Sequence, residues 1–164
     1  MPMPEQKPGR SKQDYGTPKE FLDAVKKRLH ITDFSVDLAA DEHNRVCQAY
    51  FDKDFDALRD DVTWNHHDGR WAWCNPPYGK IEPWVEKAAT ESMKGAHIAM
   101  LIPASVGANW WRTWVESYAY QSYLNGRIQF VGATDLYPKD CALLLYTPWG
   151  FTGHEIWNWR GYVN

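Results

Sequence analysis

The stretch Trp71-Ala72-Trp73-Cys74-Asn75-Pro76-Pro77-Tyr78 decides the fold: a short apolar, aromatic run that stops abruptly at two prolines. Aromatic residues suit a half-buried pleated strand, and proline, which has no amide hydrogen, ends the ladder. The run therefore predicts a strand over 70–74 that delivers Asn75 to a rigid turn. After the turn, Pro83 near a helix start, apolar or small residues at Trp84 and Ala88, and Gly95 as a stop predict a helix over 82–94. The unbroken apolar run His97-Ile98-Ala99-Met100-Leu101-Ile102 then reads as a strand buried on both faces.

Working outward, the alternation persists. Thr17-Pro18-Lys19-Glu20 has the pattern of a capping box with proline at the first helical position, and Phe21, Val25 and Leu29 form one apolar stripe. A helix is expected from that point. Residues 34–38 read as a short strand, 41–48 as a short helix, and 109–116 as a helix rich in aromatic residues. Residues 118–124 and 142–146 can extend the sheet. The recurring strand and helix pattern predicts an α/β layered fold in one domain, a size that 164 residues accommodate. In such sheets ligands bind outside the carboxyl ends of the strands, where Asp37 and Asn75 would lie. Residues 1–16, rich in Pro, Gly and charge, read as a flexible basic amino-terminal arm. Residues 17–164 are expected to form the domain, with the Trp-rich tail as an aromatic cover.

Composition bounds the partners. With 18 Lys and Arg against 21 Asp and Glu, the formal charge of −3 gives no overall attraction to polyanions. A nucleic-acid surface would have to be local, and Lys7, Arg10 and Lys12 in the arm are the candidates for phosphate contact. The ten Trp, nine Tyr and six Phe suit packed aromatic clusters, with some faces left to stack on bases. Cys47, Cys74 and Cys141 are too widely spaced to suggest a disulfide framework or a zinc site, and the His66-His67 pair has no partner pattern that would complete a metal site. No apolar segment reads as a signal or a membrane span, so a soluble intracellular protein is expected.

The chemistry concentrates at Asn75-Pro76-Pro77-Tyr78. The Asn75 side-chain carbonyl can accept one hydrogen of a substrate amine and the Pro76 backbone carbonyl the other. Tyr78 can stack on a planar base, with Pro77 bordering it. Asp37 reads first as a capping or loop-bracing residue, and its place after an apolar strand raises the reading as a ligand contact.

Taken in order, Tyr15-Gly16-Thr17-Pro18, Val36-Asp37-Leu38-Ala39-Ala40, Asp56-Ala57-Leu58, Asn75-Pro76-Pro77-Tyr78, Leu101-Ile102-Pro103-Ala104 and Gly126-Arg127-Ile128-Gln129-Phe130 resemble the phage-type family of DNA adenine-N6 methyltransferases. The resemblance implies a Rossmann-like class I methyltransferase fold, a three-layer α/β/α sandwich, with S-adenosyl-L-methionine as methyl donor and DNA as substrate. It implies donor contacts from Thr17, Pro18, Asp37, Ala39, Asp56 and Leu58, and catalysis by Asn75, Pro76 and Tyr78. It also implies a phage or prophage origin. Methylation of an amine or amide in RNA or protein, and a catalytically inactive nucleic-acid-binding module, are the competing readings.

Overall fold

A computed structural model of the chain describes residues 16–65 and 68–161. Lys7, Arg10, Lys12 and the His66-His67 pair lie outside the described residues. Helix α1 (Lys19–Leu29) leads to strand β1 (Val36–Asp37). Strand β2 (Trp71–Cys74), helix α2 (Glu82–Met93) and strand β3 (His97–Pro103) follow. A short helix α3 (Asn109–Trp111) widens into a π-helical turn, Arg112–Glu116, before strands β4 (Ala119–Leu124), β5 (Cys141–Tyr146) and β6 (Gly153–Trp157).

These strands form one mixed sheet in the order β1-β2-β3-β5-β4-β6. Strands β1, β2 and β3 run parallel, β5 lies antiparallel to both β3 and β4, and β6 runs parallel to β4 at the edge. Pairing of Cys74 with Met100 and of Pro103 with Cys141 brings the ends of β2 and β3 and the start of β5 to one rim.

The period of two along the strands divides the apolar residues between two cores. Ala72, Cys74, Ile98, Met100 and Ile102 pack with Trp84, Val85, Ala88 and Ala89 of α2 and with Trp111 and Val115. Trp73, Ala99 and Leu101 pack instead with Phe21, Leu22 and Val25 of α1. Burial on both faces explains why β3 reads as a continuous apolar run rather than an alternating one. No helix among the described residues is long and apolar enough to cross a membrane.

Four expectations are corrected. The capping box does not form: Pro18, not Thr17, precedes α1, without a side-chain cap. Its carbonyl accepts the amide hydrogens of Phe21 and Leu22. Residues 41–48 form turns rather than a helix, because the Asp41 carboxylate accepts the His43 and Asn44 amides, a local bond that competes with helix. Strand β1 is two residues long rather than five. The aromatic helix is α-helical for only three residues before its π-helical turn.

The tail enters the sheet as β6. Beyond it Trp159 is buried, its ring 5.2 Å from Phe21 in an edge-to-face contact, while its indole nitrogen donates to the Gly126 carbonyl at 2.9 Å.

Candidate active site

Strand β2 delivers Asn75 to the rim of the sheet, where the residue is only 8% exposed. Its side-chain nitrogen Nδ2 donates to Thr17 Oγ1 at 3.2 Å. Its oxygen Oδ1 is buried and has no hydrogen-bond partner among the described residues. A buried carbonyl without a donor is costly, at about 1–3 kcal/mol, so such an atom in a folded protein calls for an explanation.

Pro76 is buried and Pro77 half-buried, and neither has an amide hydrogen. The turn therefore presents carbonyls without competing donors. Tyr78 is half-buried, and its hydroxyl donates to the Leu101 carbonyl at 3.2 Å. Phe130 and Tyr137 meet its ring edge to face, with centroids 6.1 Å and 5.5 Å away. Burial pushes the phenol well above its usual range, so the hydroxyl stays protonated and remains a donor. Phe130 closes the Gly126–Phe130 segment of the family resemblance with no site role attached to it, and no local sequence signal marks Tyr137. They come from the segment between β4 and β5, whose approach to Tyr78 is a long-range contact.

Asp37 ends β1 and is 2% exposed. Its two oxygens accept the amide hydrogens of Ala39 and Val46, at 3.2 Å and 3.1 Å. Its own backbone is zipped to the 49–51 segment through Asp37 N–H to Ala49 and Phe51 N–H to Asp37, at 2.9 Å and 2.8 Å. Burial raises its pKa to about 7, against the pull of those two amides. These bonds brace the loop that follows β1.

Beside this rim lies a cleft of about 690 Å³, lined in part by Leu38, Phe51, Asp52, Asp56, Leu58 and Pro77. Of the residues expected to touch the donor, Asp56 and Leu58 line it, joined by Pro77 from the substrate set. Thr17, Pro18, Asp37 and Ala39 do not, although Asp37 and Ala39 flank Leu38, which does. Asp56 takes a left-handed backbone, φ 59°, and accepts the Leu58 amide at 3.1 Å. The volume is that of a small-molecule site. Its carboxylates, Asp52, Asp56, Glu82 and Glu86, outnumber Lys53 and Lys80, a balance that favours a cationic ligand. Phe51 and Asp52 escape a reading of the sequence because backbone pairing with Asp37, invisible in a local pattern, carries them there.

Among the described residues no cluster of His, Cys, Asp or Glu is arranged to hold a metal ion. Cys47, Cys74 and Cys141 are buried thiols outside any disulfide. Burial raises the Cys74 thiol well above its usual value, which removes the thiolate a nucleophile would need.

Residues 5–143 match the family model described as DNA N-6-adenine-methyltransferase (Dam). The chain belongs to this Dam family. A DNA N-6-adenine-methyltransferase of Escherichia phage T1 is 29% identical over 96 residues, covering 58% of the chain and 38% of that protein. One from Haemophilus phage HP1 (strain HP1c1) is 29% identical over 122 residues, covering 70% of the chain and 68% of the relative. The chain thus spans well under half of the first Dam relative and about two thirds of the second. The matched segment of the family model contains Thr17, Asp37, Asp56 and the whole Asn75–Tyr78 turn.

Proposed function

We propose that this Dam-family chain transfers a methyl group from S-adenosylmethionine to the exocyclic N6 amine of adenine in DNA. The observation that carries the reading is the buried Asn75 Oδ1, an acceptor with no donor among the described residues, at the end of a strand beside an acidic cleft. An amine hydrogen is the partner such an atom lacks.

When bound, S-adenosylmethionine supplies an electrophilic methyl group on a positively charged sulfur. The acidic and apolar lining of the cleft, with Asp56, Leu58 and Phe51, suits a cationic nucleoside of that size. In this reading Asp37 and Ala39 shape the cleft through the loop they hold, with Thr17 and Pro18 at its margin.

On the substrate side, Asn75 Oδ1 accepts one N6 hydrogen and the Pro76 carbonyl the other. Adenine's amino lone pair is delocalised into the ring. Two acceptors drawing on its hydrogens localise that pair and aim it, so positioning and electrostatics supply the rate. Neither carbonyl is basic enough to keep the proton, which passes to solvent. A base inside a duplex cannot reach this turn, so the adenine is turned out of the stack. The Tyr78 ring receives it, with Pro77 alongside. Lys7, Arg10 and Lys12 of the amino-terminal arm contribute phosphate contacts.

The finer description of the fold belongs to the same reading. Cores on both faces of a sheet with parallel β1, β2 and β3 support a Rossmann-like class I, three-layer α/β/α arrangement. Residues 17–164 act in it as a single domain, and the phage relatives support a phage or prophage origin.

The test incubates the protein with labelled methyl donor and matched DNA, RNA and protein pools, then identifies the modified atom. Labelled N6-methyladenine in DNA is expected, with Asn75→Ala lowering single-turnover methylation by about 10²- to 10³-fold, as loss of one preorganised polar group does elsewhere, while donor affinity is kept. Label confined to RNA or protein, or no label, would reject the reading.

A further inference from the structure

Thr17 and Asn75 lie 58 positions apart in sequence and meet in a buried hydrogen bond, each 8% exposed. Thr17 stands one residue before Pro18, which occupies the cap position of α1, and the helix has no side-chain cap. The hydroxyl goes to the catalytic turn instead. The backbone around it is held on both sides: Gly16 accepts the Val131 amide at 2.9 Å, and Pro18 accepts those of Phe21 and Leu22 at 3.1 Å each.

Resting on the methyltransfer reading above, we propose that Thr17 is a positioning residue for the amine attack: its hydroxyl oxygen anchors Asn75 Nδ2 and thereby turns Oδ1 toward the substrate nitrogen. An amide has two chemically opposite ends. Reversed, Asn75 would set its NH₂ group against the substrate's NH₂ group, donor against donor, and could orient nothing. In the bond observed the braced hydroxyl oxygen holds Nδ2, which leaves Oδ1 as the end for the substrate. That bond also fixes the rotamer before substrate arrives, which is what preorganisation requires. The lining of the cleft does not include Thr17, and the role proposed here acts on the chemical step.

Thr17→Val keeps the shape and removes the acceptor. The single-turnover rate should fall on the order of 10- to 100-fold, the scale of a misplaced reacting group, while donor affinity stays near that of the wild type and the thermal midpoint drops only as the loss of one buried hydrogen bond requires. Thr17→Ser should restore most of the rate. In an Asn75→Ala background, Thr17→Val should cost nothing further, because the group it positions is gone. If Thr17→Val does not fold, Thr17→Ala compared with Thr17→Ser reads the same difference. An unchanged rate in Thr17→Val beside a crippled Asn75→Ala would overturn the inference and leave the methyltransfer reading standing. So would a loss of donor affinity that accounts for the whole effect, or additive losses in the double variant. A wild-type rate in Asn75→Ala would overturn both.

Discussion

Glu91 Oε1 accepts the backbone amide of Trp64 at 2.6 Å, joining the middle of the chain to α2 across 27 residues. The carboxylate is almost fully buried, and Lys94 lies 3.4 Å from its other oxygen. Trp64 in turn is fully buried and donates its indole hydrogen to the Ala57 carbonyl at 3.0 Å. Ala57 and Leu58 form part of the cleft wall. One hydrogen bond at the base of α2 thus holds a chain of contacts that ends at the candidate donor site.

Removing that carboxylate should be felt at the cleft. Glu91→Ala leaves the Trp64 amide buried without an acceptor, at a cost of about 1–3 kcal/mol. Glu91→Gln keeps a carbonyl and should cost less. Chemical denaturation gives the stability, and donor titration should show weaker binding for Glu91→Ala, since the Ala57–Leu58 wall loses its support. Donor affinity unaffected by a clear loss of stability would separate the wall from this brace.

Tyr78 joins a structural bond to a proposed stacking face, and substitution can divide them. Tyr78→Phe keeps the ring against Phe130 and Tyr137 but removes the donor to Leu101, so stability should fall by about 1 kcal/mol with methylation largely retained. Tyr78→Ala should weaken capture of the base by about 1–3 kcal/mol, the usual worth of an aromatic stack. Equal DNA affinity in the two variants would remove the stacking role.

Stability should respond to pH through Asp37. Its pKa is raised in the folded state to about 7, above the ordinary value near 4. Between those values the unfolded chain has released the proton while the folded chain still holds it, so this residue's contribution is fully present at low pH and is lost as pH rises through about 7. Thermal midpoints measured from pH 4 to 8 should show that decline more steeply in the wild type than in Asp37→Asn. Above about pH 7 the variant should also be less stable, because an amide offers one carbonyl oxygen where the ionised carboxylate offers one to Ala39 and one to Val46. Parallel curves would assign the pH dependence elsewhere.

The basic arm makes a prediction about salt. Neutralising Lys7, Arg10 and Lys12 together should reduce the slope of log affinity for DNA against log salt by about 0.9 for each duplex phosphate these side chains pair with. An unchanged slope would remove these residues from the DNA surface.

What is legible in the chain follows the range of the interactions concerned. Strands β2 and β3 and helix α2 match their expected spans closely, because their apolar periods, Pro83 and Gly95 are local signals. The Asn75 acceptor is legible in kind, since strand, proline and amide are adjacent in sequence. The role of Thr17 is not, because its hydroxyl forsakes the adjacent helix end for a partner 58 residues away. Asp41 likewise traps its own turn where apolar spacing suggests a helix. The position of β5 between β3 and β4 and the recruitment of β6 depend on pairing between distant segments, which no periodicity encodes.

Antiparallel β5 lies between β3 and β4, so the chain leaves β4 at Leu124 and re-enters the sheet at Cys141 on the rim that carries Asn75. The intervening segment, residues 125–140, is tethered at both ends to rigid strands, and it touches Tyr78 through Phe130 and Tyr137. Closure entropy grows only slowly with loop length. Exchanges at the exposed Leu136 would therefore disturb the sheet little, whereas Val131 is tied through its amide to Gly16, beside Thr17. The topology sets a surface segment beside the Asn75–Tyr78 turn, so that a change of length at its exposed edge need not alter the strands that carry the turn.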